Sequence, residues 1–224
     1  MSERERPVNC RDDARLALVA GARAVADGGL VVGTAGNLSV RTGDVMLITP
    51  RASRLADIDP ARCAPVRLAD GAVMGELPDG VMASSETPLH RAVYAATDAG
   101  AIVHTHSRFA TVMSTLVEEL PPVHYATTAF GGRVRVAPYA TFGSEELAAN
   151  VAAALVGRRA ALLANHGAVT LADTVEAAVD LALELEWLAE VAYYATLAGR
   201  PSLLSDEQLE AVTRQARDLR YASS

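Results

Sequence analysis

The sequence contains no lysine. All 20 basic residues are arginines, so chemistry that runs through a lysine amine, a Schiff base above all, is excluded. Cysteine is nearly as scarce. Cys10 and Cys63 lie far apart and form no CxxC pair, which points away from a zinc–thiolate site or a disulfide framework and toward two reduced thiols in a cytoplasmic protein. No uncharged apolar run reaches membrane-spanning length, so no membrane partner is expected. The most apolar helical stretch, residues 177–195, is interrupted by Asp180, Glu184, Glu186 and Glu190 and reads as a buried or oligomer-facing helix. The opening MSERERPVNCRDDAR is charged and lacks an apolar segment, so no secretory signal is expected. With a net charge of -7 and no basic stripe, nucleic acid is not the expected partner. A local basic pocket for one phosphate stays open.

What is there suits one globular domain. The chain has 224 residues, 50% hydrophobic and 21% charged, enough for a well-buried core. Residues 1–10 read as a loose tail and residues 11–224 as the domain. Leu16, Val19, Ala20 and Ala24 recur at helical spacing up to Asp27, where Gly28-Gly29 stops the helix. Residues 30–40 enter a strand that pairs across a turn at 41–44 with a strand over 45–49. Asp70-Gly71 predicts a second hairpin between 66–68 and 72–75. Thr87-Pro88 predicts a helix start, Thr at the cap and Pro at the first position. Strands are expected over 101–105, 123–126, 133–137 and 160–164, and helices over 107–116, 145–156 and 174–197, with a last short helix from Ser205. Hairpins without regular βαβ alternation predict an α/β domain of the α+β type. Its central, mainly antiparallel sheet would be flanked by helices.

Three of the five histidines carry the chemistry. His104 and His106 sit two apart in AIVHTHS, and residues two apart on a strand face the same side, where one ion can bridge both imidazoles. His166, in LLANHGAV just past another apolar strand, supplies a third ligand; catalytic zinc commonly takes three and keeps a position open. The pair alone also fits hydrogen-bonded core histidines. His90, four residues after Glu86, reads as a structural or supporting residue, and His124 carries less. Glu86 closes Ala83-Ser84-Ser85-Glu86 just ahead of a helix start, where unpaired N–H groups and the helix dipole suit an anion such as phosphate. The same residues also fit a plain helix cap.

Six motifs in order, TAGNLSVR (34–41), LITP (47–50), SSE (84–86), HTHS (104–107), APYATFG (137–143) and NHG (165–167), resemble the class II aldolase/adducin family, in particular its L-fuculose-1-phosphate aldolase type. The resemblance runs from about residue 11 to about residue 212. It implies a zinc-dependent aldolase that cleaves a ketose 1-phosphate reversibly to dihydroxyacetone phosphate and an aldehyde. It further implies one Zn2+ per subunit held by His104, His106, His166 and Glu86, and a cyclic homotetramer with sites between subunits. Glu86 maps onto the catalytic glutamate. Gly36, Asn37, Ser84 and Ser85 map onto phosphate-binding positions, with Thr49 beside them. Tyr125 matches a proton donor contributed by a neighbouring subunit, and Phe142 matches an aromatic lining the aldehyde pocket from that same side. The family usually continues ITP with a small Thr/Ser-Gly pair; here Arg51-Ala52 follows, so the backbone approach to phosphate differs and Arg51 becomes a candidate contact to phosphate or carboxylate. Tyr221 is a candidate for a tail tyrosine, at an offset that does not match cleanly. Related decarboxylases, a dehydratase and epimerases on the same site, and a non-catalytic adducin-like scaffold, are the alternatives; epimerases usually carry aspartate at the Glu86 position.

Overall fold

A computed structural model describes residues 10–219. The expected loose tail lies outside the described residues except for residue 10, which opens the first helix, and Tyr221 lies outside them too.

Seven strands form one sheet: β1 (Asn37–Thr42), β2 (Val45–Ile48), β3 (Ala64–Arg67), β4 (Ala101–Thr105), β5 (Arg135–Ala137), β6 (Ala160–Leu163) and β7 (Gly167–Ala172). Their order is β3-β2-β1-β4-β7-β6-β5. Every neighbouring pair is antiparallel except β5–β6. The helices are α1 (Cys10–Asp27), α2 (Thr87–Ala96), α3 (Arg108–Ser114), α4 (Glu145–Ala154), α5 (Val175–Ala198) and α6 (Asp206–Asp218).

Alternation along the strands sorts side chains onto two faces. Leu38 of β1, Val103 of β4 and Leu162 of β6 join one core cluster with Leu18 of α1, Met113 of α3 and Leu185 of α5. Ile48 of β2, Ile102 of β4 and Leu163 of β6 join another with Leu89 of α2 and Leu147 of α4. Each fully buried aliphatic side chain contributes about 1.5–3 kcal/mol of burial free energy, so both faces are firmly held. Among the described residues no helix is long and apolar enough to cross a membrane.

Three local expectations change. Residues 123–126 form no strand: two prolines precede them, the His124 ring caps the Ala126 N–H, and a 3-10 turn runs over Tyr125–Phe130. The second hairpin shrinks to the bridge Val66–Val73 beside β3. The sequence reading left β7 out, although it lies against β4 near the middle of the sheet. GAVTLA follows the Asn-His-Gly turn at once, and Thr170 in its middle is buried because its hydroxyl donates to the Ala178 carbonyl, 2.7 Å away.

Candidate metal centre

The cluster grows out of strand register. Asn37 of β1 pairs with His104 of β4, and since Leu38 and Val103 share the α1/α5 face, Asn37 and His104 lie on the α2 face. β4 stops at Thr105, one residue short of His106, whose ring still lies 4.9 Å from that of His104. His166 ends the tight β6–β7 turn. Asn165 takes the left-handed conformation there at φ 57, which asparagine tolerates better than most residues. Gly167 must follow, because a Cβ on it would sit 2.1 Å from the Thr105 carbonyl oxygen. Gly36 is fixed likewise: its φ is +78, and a Cβ would meet the His104 carbonyl at 2.9 Å. The motif glycines thus press two turns against the backbone that carries the imidazoles.

Glu86, not Thr87, is the cap residue of α2, and its side chain makes no capping bond. Thr87 instead turns its hydroxyl back to the Ser84 carbonyl at 2.7 Å, and Ser84 Oγ accepts the Glu86 N–H at 3.2 Å. The carboxylate is thereby freed to point at the histidines. Glu86 Oε2 lies 3.0 Å from His104 Nε2, and Oε1 lies 3.5 Å from His166 Nε2. His104 and His106 bring their Nε2 atoms to 3.0 Å. One ligand atom from each of the four residues falls within 4.8 Å of the others.

Protonation at two of the three imidazoles suits a cation. Burial pushes His106 down to about 3 and His166 to about 4, the His104 charge acting the same way on both and Glu86 opposing. Both are neutral imidazoles, the ligating form. Burial also opposes charge on His104 and Glu86, but their mutual attraction outweighs it, helped by the Ala168 carbonyl at His104 and by Asn37 and His166 at Glu86. The imidazole is held above its ordinary value and the carboxyl below the usual range. His104 Nδ1 donates to the Ala168 carbonyl at 3.0 Å, which turns Nε2 to the centre. Glu86 Oε1 is buried with no hydrogen-bond partner, and such an atom calls for a counter-charge. Three imidazoles with one carboxylate are a donor set for zinc or a similar divalent ion.

A cleft of about 260 Å³ opens on this cluster, edged by Gly36, Asn37, Arg51, Ser84, Ser85 and Phe142. Asn37 reaches it with its amide already engaged, donating to Glu86 Oε2 at 2.8 Å. Thr49 does not line the cleft: it is fully buried and its hydroxyl accepts the Leu38 N–H at 3.1 Å, so it belongs to the β1–β2 pairing. Phe142 borders the cleft of its own chain, whereas Tyr125 is not on that wall. Tyr125 is 57% exposed and stacks on His124 at 4.3 Å. Ala52 occupies the position of the missing glycine with φ 51, a left-handed geometry that costs an L residue roughly 1–2 kcal/mol.

Sequence reading missed a second cleft of about 520 Å³, which meets the first at His106 and His166 and is lined by Arg108 and Phe109. It also missed the partners of His90. Burial drives that imidazole down to about 3, with the His104 charge pushing the same way and Glu86 opposing. The neutral ring bonds Asn37 and Ser39. The spacing carried the signal: Glu86 and His90 lie one helical turn apart, and Asn37 and Ser39 lie two apart on a strand.

Residues 16–193 match the family described as Class II Aldolase and Adducin N-terminal domain. The chain is 40% identical over 200 residues to a 5-methylthioribulose-1-phosphate/5-deoxyribulose-1-phosphate aldolase of Rhodospirillum rubrum, covering 88% of each. It is 41% identical over 188 residues to the L-fuculose phosphate aldolase of Escherichia coli strain K12, covering 82% of this chain and 85% of that one. A solved L-fuculose 1-phosphate aldolase superposes with a TM-score of 0.85 at 36% identity, covering 92% of this chain and 96% of its own. The chain belongs to the class II aldolase and adducin family, as a metal-dependent class II aldolase, a carbon–carbon lyase.

Proposed function

We propose that this protein is a zinc-dependent aldolase that cleaves a ketose 1-phosphate reversibly to dihydroxyacetone phosphate and an aldehyde. The observation that carries the reading is the buried carboxylate of Glu86 with an unpartnered oxygen facing three imidazoles. His104, His106, His166 and Glu86 would hold the zinc. When bound, such an ion supplies Lewis-acid stabilisation of the negative charge that develops as the C3–C4 bond breaks.

The chain's own groups do the rest. Ser84, Ser85, Gly36 and the Asn37 edge of the cleft receive the phosphate near the start of α2, and Arg51 adds a charge-assisted contact. Glu86, held ionised, moves a proton on or off the enediolate carbon. Phe142 borders the aldehyde side. Tyr125 of a neighbouring copy exchanges a proton with the aldehyde-side oxygen in a homotetramer with sites between subunits; its exposure, and its place off its own chain's cleft wall, support a site shared between copies. One domain over residues 11–224 and a cytoplasmic location complete the proposal, the latter supported by the free, buried thiol of Cys63.

Relatives named for fuculose phosphate and for 5-deoxy- and 5-methylthioribulose 1-phosphates favour a ketose 1-phosphate whose far end is a methyl or thioether. A panel of such ketose 1-phosphates, with chelator controls and product analysis, tests this. Dihydroxyacetone phosphate with an aldehyde is the expected outcome. Carbon dioxide release makes the protein a decarboxylase, epimeric product an epimerase, and metal-free protein without turnover a scaffold.

A further inference from the structure

A line of buried polar side chains outside the ligand set ends on Glu86. Asn37 and Ser39 share one face of β1, while Glu86, His90 and Tyr94 follow one another by single turns of α2, and the two ladders face each other. Asn37 Nδ2 lies 2.8 Å from Glu86 Oε2, and Asn37 Oδ1 lies 2.5 Å from His90 Nε2. His90 Nδ1 lies 2.6 Å from Ser39 Oγ, which lies 2.9 Å from the Tyr94 hydroxyl. His90 is fully buried, as is Ser39, and Asn37 and Tyr94 are nearly so.

Every bond in this line has a forced sense. An ionised carboxylate only accepts, so Asn37 turns its NH2 to Glu86 and its carbonyl oxygen to His90. His90 Nε2 therefore carries the proton. The bare Nδ1 accepts the Ser39 hydroxyl, and the Ser39 oxygen accepts from Tyr94. All donors run toward Glu86. His90 holds the far end of the amide: without an N–H at that point the buried Asn37 carbonyl has no donor, and the amide keeps only one of the two contacts that fix its position against the carboxylate.

We propose that His90 is a positioning residue, which through Asn37 locks the Glu86 carboxylate in the orientation that leaves Oε1 free for the metal and for proton transfer. This rests on the metal-dependent aldolase reading. Partners of this kind typically govern 10–100-fold in metal affinity or activity.

Cobalt(II) titration of the metal-free protein, followed by its visible absorption, and steady-state kinetics at saturating cobalt test the assignment. His90→Leu is expected to weaken cobalt binding about 10–100-fold, alter the cobalt spectrum and lower kcat at least about 10-fold with KM within about 3-fold. His90→Gln, which restores an N–H donor, recovers most of both. Tyr94→Phe, at the far end, lowers the melting temperature but leaves cobalt affinity and kcat within about 3-fold. Should His90→Leu not fold, Ser39→Ala serves: the ring then loses the hydroxyl that anchors its far side and is freer to tilt away from Asn37, and kcat falls about 3–10-fold. A folded His90→Leu or Ser39→Ala with wild-type cobalt affinity, spectrum and kcat overturns the proposal, as does Tyr94→Phe matching His90→Leu. A wild-type protein that binds no cobalt and cleaves no ketose 1-phosphate overturns the aldolase reading itself, and this proposal with it.

Discussion

The two walls of the cleft are built in opposite ways. One carries Glu86 and the histidines at the first turn of α2, the end of β4 and the β6–β7 turn, with strand register and buried hydrogen bonds setting His104 and Glu86. The other is the exposed segment after β2, where Arg51 faces solvent and Ala52 sits in a conformation that glycine prefers. The first wall tolerates little change, because His104 and Glu86 are each held from more than one side. The second carries strain and charge with few contacts, the kind of place where related enzymes diverge in what they accept.

Changes in the rigid wall should therefore act all-or-none, and changes in the exposed wall by degrees. The largest effect is expected from His104→Ala, which removes a buried ligand and its link to Ala168: metal content and turnover are lost together, read by metal analysis beside kinetics. Glu86→Gln keeps the shape and leaves the three imidazoles, so the ion stays bound at saturating metal, with affinity lowered at least as much as in His90→Leu, while kcat falls about 10²–10⁴-fold. Retained turnover in this variant would remove Glu86 from the proton-transfer role. In the exposed wall, Arg51→Ala should raise KM about 10-fold with kcat little changed, since one charge-assisted contact is lost uniformly from substrate and transition state. A fall in kcat instead would move Arg51 to the chemistry.

Acid separates the walls as well. His90, His106 and His166 have folded values pushed below 6.5 to between about 3 and 4. Their unfolded forms take up protons first, so the stability tied to neutral imidazoles is intact above pH 6.5 and lost as the pH falls toward 3–4. The melting temperature of metal-free protein should drop across that window, and less so in His90→Gln. The smallest effect belongs to Ala52→Gly, which relieves the positive φ: about 1 kcal/mol, or 2–4 °C in melting temperature, with no change in metal content. No gain in Tm would mean that the loop relaxes by other means.

The rigid wall was also the legible one. His104 and His106 are readable because residues two apart on a strand share a face, and Glu86 only beside them, since an SSE run ahead of Thr-Pro also fits a plain helix cap. The cap itself was misassigned to Thr87, since its chemistry fits any capping residue while the carboxylate's target lies far along the chain. Nothing local announced that Asn165-His166-Gly167 would lie against Thr105; only the motif pattern linked them. Thr49 is expected among the substrate-binding residues, yet its N–H and hydroxyl are both engaged with the Leu38 backbone, which holds it inward. The 3-10 turn at Tyr125–Phe130 was hidden because its apolar residues scan as a strand, and the two prolines ahead of it weighed too little.

Stoichiometric metal removal and return tests the central claim most directly. Purified protein should contain one divalent ion per chain, lose ketose 1-phosphate cleavage when stripped with chelator, and regain it on adding back one equivalent of zinc. Undiminished cleavage by the stripped protein would contradict the account.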